Sequence, residues 1–136
     1  MDNPGVQTLC ALQLTAAMPQ SLLEPTSGPA DLSGMTAITL DFDFKFGSGS
    51  GTASAIVVTS FDGGTTWRHI ARADFANVSR VAQCNLEGLL SKAMGSYSDL
   101  ASEGVNDGVL GSQLALLLTT TGAYVGTTLS VRASVR

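Results

Sequence analysis

Charge is the first thing this chain lacks. Asp, Glu, Lys and Arg make up only 13% of its 136 residues, where a soluble domain usually carries roughly 25%. So little charge implies a surface rich in Ser, Thr and Gly, or one partly covered by other subunits. The seven basic residues, Lys45, Arg68, Arg72, Arg80, Lys92, Arg132 and Arg136, are scattered along the chain. No cluster exists to neutralise a phosphate backbone, which argues against direct nucleic-acid binding. The net charge of −4 is too mild and too dispersed for an acidic disordered tail.

Cysteine is limited to Cys10 and Cys84, at a spacing that matches no zinc or redox pattern; two partly buried free thiols are expected. His69 is the sole histidine. A Ser-His-Asp triad would need it, yet no G-x-S-x-G context is present, and no Cys or carboxylate stands at zinc-ligand spacing. It reads as a strand residue beside Trp67 and Ile70. No apolar run reaches the roughly 18 residues that span a membrane. Near the N-terminus, Asp2 stands where a signal peptide would carry Lys or Arg, and Gln7 and Gln13 interrupt the apolar run, so assembly inside a cell without a secretory signal is expected. Proline is missing after residue 29: Pro4, Pro19, Pro25 and Pro29 are all there is. Each removes an amide donor, which excludes a long helix or a central strand in that region. Residues 1–34 are therefore predicted as an N-terminal arm and connector, with one strand within 6–16. Residues 35–136 are predicted as the body of a single domain.

What the body does have is alternation. In ITLDFDFKF, Ile38, Leu40, Phe42, Phe44 and Phe46 fall on one side, with Thr39, Asp41, Asp43 and Lys45 on the other. That period of two marks a half-buried strand. GSGSG (47–51) is predicted to end it in a flexible turn or loop. ASAIVVTSF (53–61) is apolar on both faces and reads as a central strand, with WRHIARADF (67–75) pairing back on it. Strand patterns return in SQLALLLTT (112–120) and TTLSVRASVR (127–136), with TGAYVG (121–126) as the hairpin between them. LEGLLSKAM (86–94) suggests a short helix, and 95–111 a long surface loop of the kind that docks something. No internal repeat is present. The expected fold is all-β: an antiparallel, jelly-roll-like β-sandwich with an extended N-terminal arm and at most one short helix.

The most legible stretch is SFDGGTTW, residues 60–67. Asp62 can accept hydrogen bonds from amides just ahead of it, and Gly63 and Gly64 can adopt positive φ. Ser60 and Thr66 can bridge the two strands through their hydroxyls, and Trp67 can cap the hairpin. The pattern resembles the Asp box of sialidases, a turn motif repeated over propeller blades away from the catalytic centre. Here it occurs once, in a chain too short for a propeller. Ser60, Asp62, Gly63, Gly64, Thr66 and Trp67 are therefore assigned to a structural hairpin turn.

Other candidate chemistries are weaker. Glycoside hydrolysis needs two carboxylates across the scissile bond. Asp41 and Asp43 share a strand face beside Lys45 and read instead as a charged ladder facing Arg132 or Arg68. Asn106-Asp107-Gly108 lacks the carboxylates of a calcium loop and reads as a turn. GSGSG lacks the lysine and helix start of a phosphate loop. Asn77-Val78-Ser79 matches a glycosylation acceptor but gains no weight without a secretory signal. No catalytic residue, cofactor or metal is expected, and no enzymatic activity.

A wider pattern surrounds the box. Thr59, Ser60, Asp62, Gly63, Gly64, Thr66, Trp67, Ile70 and Ala71 are followed by Gly108, Leu110, Gly111, Leu114, Thr119, Thr121, Gly122, Tyr124, Gly126, Thr128, Leu129 and Val131. Over roughly residues 32–136 this resembles the small β-rich virion proteins of tailed bacteriophages. The resemblance implies a structural subunit of the particle, assembled in the host bacterial cytoplasm. A head decoration or cement protein on the major capsid protein is favoured over a neck or tail component. Composition, low in charge and rich in Ser, Thr and Gly, suits a subunit partly covered by virion subunits or copies of itself. Where copies associate, closed cyclic symmetry is expected, a trimer suiting a threefold lattice position. No membrane contact is expected. The alternative expectation is a carbohydrate- or cell-surface-binding module, with Tyr97 and Tyr124 as its available aromatic platforms.

Overall fold

The computed structural model describes residues 5–23, 30–32 and 34–136. Its strands are β1 (Gly5–Leu14), β2 (Met18–Leu23), β3 (Ala30–Asp31), β4 (Ala37–Lys45), β5 (Ser48–Ser60), β6 (Arg68–Phe75), β7 (Arg80–Glu87), β8 (Gly104–Val105), β9 (Gln113–Val125) and β10 (Thr127–Val135). Two sheets result, one ordered β1-β10-β4-β7 and the other β2-β9-β5-β6-β8, with β3 also on β9. Every pairing is antiparallel, and the principal ones are nested: β5 with β6, β4 with β7, β2 with β9, β1 with β10. A ribbon folded in the middle and wrapped over itself produces this order, which is the connectivity of a jelly roll. The fold of that ribbon falls at the β5–β6 turn, where SFDGGTTW lies.

Alternation decides the core. Ile38, Leu40, Phe42 and Phe44 of β4 and Leu129, Val131, Ala133 and Val135 of β10 are all buried between the sheets. They face Val57, Ile70, Leu114, Leu116 and Leu118 of the second sheet within one continuous cluster. Each large side chain enclosed this way stabilises the fold by about 1.5–3 kcal/mol. Phe44 stacks on Phe75 with ring centroids 4.9 Å apart and meets Tyr124 edge-on at 5.9 Å, tying the sheets together. β5 is apolar on both faces because Ile56 and Val58 point the other way, into a small outer cluster with Ala115, Trp67 and Leu117.

Four expectations are corrected. The predicted arm contains β1 and β2, which pair with β10 and β9 as full members of the sandwich; residues 1–4, 24–29 and 33 of that arm lie outside the described residues. Pro19 is accommodated because β2 is an edge strand, where a missing amide costs no ladder bond. The helix expected over 86–94 does not form: β7 runs to Glu87 and a turn follows. Gly88 interrupts the segment, and so short a helix needs a packed face, whereas Leu89, Leu90 and Met94 are exposed. GSGSG is not a loop, since Ser48–Gly51 open β5 and pair with β9. A Cβ on Gly51 would collide with the carbonyl oxygen of Thr121, so glycine lets the two backbones approach closely. TGAYVG is not a hairpin either. It completes β9, and the chain turns at Gly126 (φ 61°) to cross from one sheet to the other.

Cys10 and Cys84 are free. They sit on β1 and β7, the opposite edges of one sheet, three strand spacings apart at about 4.8 Å each and beyond disulfide reach. Burial pushes both thiols up to about 11.

Candidate functional site

The β5–β6 turn is closed by its own side chains. Asp62 Oδ1 accepts from the Thr66 amide and from Ser60 Oγ, both at 2.8 Å, and Oδ2 accepts from Thr66 Oγ1 at 2.6 Å. Ser60 Oγ in turn accepts from the Gly64 amide at 2.8 Å. Gly63 and Gly64 have φ of 74° and 95°, a region that side chains with a Cβ avoid. Hydrogen bonds from Thr66, then from Ser60, stabilise the charged carboxylate and bring Asp62 down to about 2. Trp67 packs over Ile56 and Val58 on the outer face of the sheet. All six residues of the assigned turn are thus brought together, with Asp62 as the hub linking the Ser60 and Thr66 sides.

Against this turn lies the segment from Gly88 to Gly111, whose one regular element is the two-residue β8. Side chains fasten it to the edge of β6. The Tyr97 hydroxyl accepts from the His69 amide at 2.6 Å and donates to Asp99 Oδ1 at 2.8 Å. His69 Nδ1 accepts from the Leu100 amide at 3.1 Å, so that nitrogen carries no proton. His69 Nε2 lies 3.7 Å from Asp99 Oδ1. Burial lowers the His69 pKa, Asp99 opposes that, and Arg72 adds to it. Arg72 donates to the Leu100 carbonyl at 2.8 Å, and Glu103 accepts from the Asp74 amide at 2.9 Å while pairing with Arg80. Strand edges left open invite association; here the loop covers this one.

Between turn and loop runs a groove of about 720 Å³, lined in part by Phe61, Arg68, Lys92, Met94, Tyr97 and Val105. Arg68 lies 5.0 Å over the Tyr97 ring. The length of the 95–111 loop hinted that something docks there. That Arg68 and Lys92 line one groove left no local trace in the sequence, because it arises from the loop folding back on β6.

The remaining candidates are scattered. Arg132 stands opposite Asp41 across β10 and β4, while Arg68 belongs to the other sheet and cannot face it. Asp41 accepts from Gln83 Nε2 at 2.7 Å, and Asp43 pairs with Lys45 at 3.8 Å. Asp107 Oδ1 caps the amides of Glu87 and Gly108. Asn77 Oδ1 accepts from the Gly51 amide at 3.0 Å. Tyr124 is buried and donates to the Ala76 carbonyl at 2.9 Å, so it offers no surface platform. Among the described residues, no group of three or more His, Cys, Asp or Glu side chains could hold a metal ion. No helix long and apolar enough to cross a membrane is found among them either. No protein-family model, curated protein or solved structure matches this chain.

Proposed function

We propose that this protein is a structural component of a tailed-bacteriophage particle, and within it a head decoration or cement subunit seated on the major capsid protein. A neck or tail position is the less favoured variant. One observation carries the reading: large apolar side chains stand in solvent around one groove, with Phe61 61%, Val105 43% and Met94 fully exposed, on a chain with little charge to solvate them. Apolar surface of this kind marks an interface. The resemblance of residues 32–136 to phage virion proteins supplies the class. The jelly roll is compatible, but it hosts capsid and lectin domains alike and does not choose between them.

The mechanism is passive. A subunit that binds the intact lattice and not its separated parts stabilises it by mass action, by about 2.7 kcal/mol at a hundred times its Kd. Self-association into a closed ring, a trimer at threefold positions, would multiply the contacts. Purified protein added to heads assembled from the major capsid protein should co-sediment to a fixed ratio and raise the temperature at which heads disrupt. Protein that remains in the supernatant with heads, necks and tails alike rejects the reading.

A second reading, a carbohydrate- or cell-surface-binding module, is favoured by Tyr97, whose partly exposed ring lines the groove. Saturable glycan binding that is lost in Tyr97→Ala would support it over the first.

A further inference from the structure

The groove beside the Asp62 turn gathers two cations, Arg68 and Lys92. Three cations elsewhere pair with carboxylates, Lys45 with Asp43, Arg72 with Asp74 and Arg80 with Glu103, while Arg136 donates to Thr39 Oγ1 at 3.1 Å. In the groove Arg68 and Lys92 are both exposed and no carboxylate lines the wall, although the protein as a whole carries −4. The Tyr97 ring holds Arg68 in place without neutralising it. Between the cations the wall is apolar, with Phe61 61%, Val105 43% and Met94 fully exposed.

We infer that this groove docks an extended acidic segment of a partner protein, in which carboxylates alternate with apolar side chains. The inference rests on the particle reading only for the idea that the partner is a protein. An extended chain sends successive side chains to opposite faces, so one run of residues can reach cations and apolar wall at once. The outer side of β8 pairs with no strand among the described residues, which leaves backbone groups for such a segment to join. Met94 adapts to aliphatic and aromatic partners. A sugar would be served less well. Its hydroxyls call for carboxylate or amide groups, and the amide in the groove, Asn106, already donates to the His69 carbonyl at 3.3 Å.

The test is fluorescence anisotropy with a short labelled peptide in which Glu alternates with Phe and Leu, alongside its Lys-for-Glu counterpart. The acidic peptide should bind saturably and weaken with added salt, and the basic one should not bind. Affinity should fall about tenfold or more in the Arg68→Glu/Lys92→Glu double variant, since rim charge reversal replaces attraction with repulsion. Met94→Asp, at a fully exposed position where folding is not at stake, should lower it comparably. Absence of saturable binding, or undiminished binding by the double variant, overturns the inference. So does an acidic oligosaccharide that outcompetes the peptide at these residues. Heads separate the two proposals: a double variant that still co-sediments at the wild-type ratio overturns the groove assignment alone. Wild-type protein that binds peptide but ignores all particle parts overturns the particle reading alone.

Discussion

The turn at 60–67 and the segment at 88–111 meet across one groove, yet they are built in opposite ways. The turn is closed by bonds among residues at most four apart: Ser60, Asp62, Gly64 and Thr66 satisfy one another. The loop is closed by bonds to residues some thirty positions earlier, on β6. A locally closed element keeps its shape as long as its own few residues do. One closed at long range holds only while the strand beneath it is in place, which puts it at the low-stability end of the molecule, where binding surfaces are usually found. The rigid turn and the fastened loop thus form the two banks of the groove.

The sharpest way to break the contrast is at the joint between the two banks. The Gly111 amide donates to Thr59 Oγ1 at 2.8 Å, and the Ser112 amide donates to the Ser60 carbonyl at 2.9 Å. A Cβ at Gly111 would collide with that carbonyl oxygen, which belongs to backbone and cannot swing aside. Gly111→Ala should destabilise the protein by about 3 kcal/mol, the upper range for overpacking, read as a lowered urea midpoint. An unchanged midpoint would show that the joint yields and that the banks are not coupled.

A smaller effect is expected from the hub of the turn. Asp62 is lowered from 3.8 to about 2 by its hydrogen bonds, so its contribution is present above its unfolded value and is lost as pH falls through the folded one. Wild-type stability should decline between about pH 4 and pH 2, with other carboxylates adding to the fall. Asp62→Asn should lower stability at neutral pH and flatten the decline in that window. Urea midpoints at pH 7 and pH 3 measure both. Parallel pH curves for the two proteins would mean that the carboxylate charge does not hold the turn.

The same distinction explains what the sequence could reveal. The Asp62 turn, the alternation of β4 and β10 and the doubly apolar β5 are local patterns, and each can be read from neighbouring residues. β1 could be read as a strand, but its partner β10 is at the other end of the chain, so the nested wrap that makes it integral was hidden and an arm was expected instead. β7 escaped notice because its alternation is faint: Ala82, Cys84 and Leu86 face inward opposite Phe42, Leu40 and Ile38, but at an edge where the first two remain partly exposed. The glycines of 47–51 look like a loop until the close approach of β9 is seen. The groove was the least legible feature, since its cations, aromatics and walls come from three separate stretches.

The loop's fastening offers a finer test. Tyr97→Phe keeps the ring over which Arg68 lies but removes the hydroxyl that accepts from the His69 amide and donates to Asp99. The cost should be about 1 kcal/mol, the usual net worth of such a bond. Most of it should appear locally, as faster hydrogen exchange at the His69 amide with little change at the core amides of β5. Equal acceleration throughout would mean that the loop opens only with global unfolding, and the contrast between the two banks would vanish.

The smallest effect is a pH response at His69. Its ring is 8% exposed, and Nδ1 must be unprotonated to accept from the Leu100 amide. Because its pKa is lowered from 6.5, the unfolded state takes up a proton first as pH falls. The stability it lends is therefore complete above 6.5 and is lost progressively below that value. Asp99 near Nε2 offsets part of the loss by favouring the imidazolium; Arg72 works the other way. As pH falls below 6.5, the Leu100 amide should lose protection relative to the intrinsic exchange rate at each pH, while the protection of the amides of the Asp62 turn stays unchanged. A Leu100 amide that keeps its protection while His69 titrates would show that the ring accepts its proton without releasing the loop. The turn and the loop would then respond alike to everything short of unfolding.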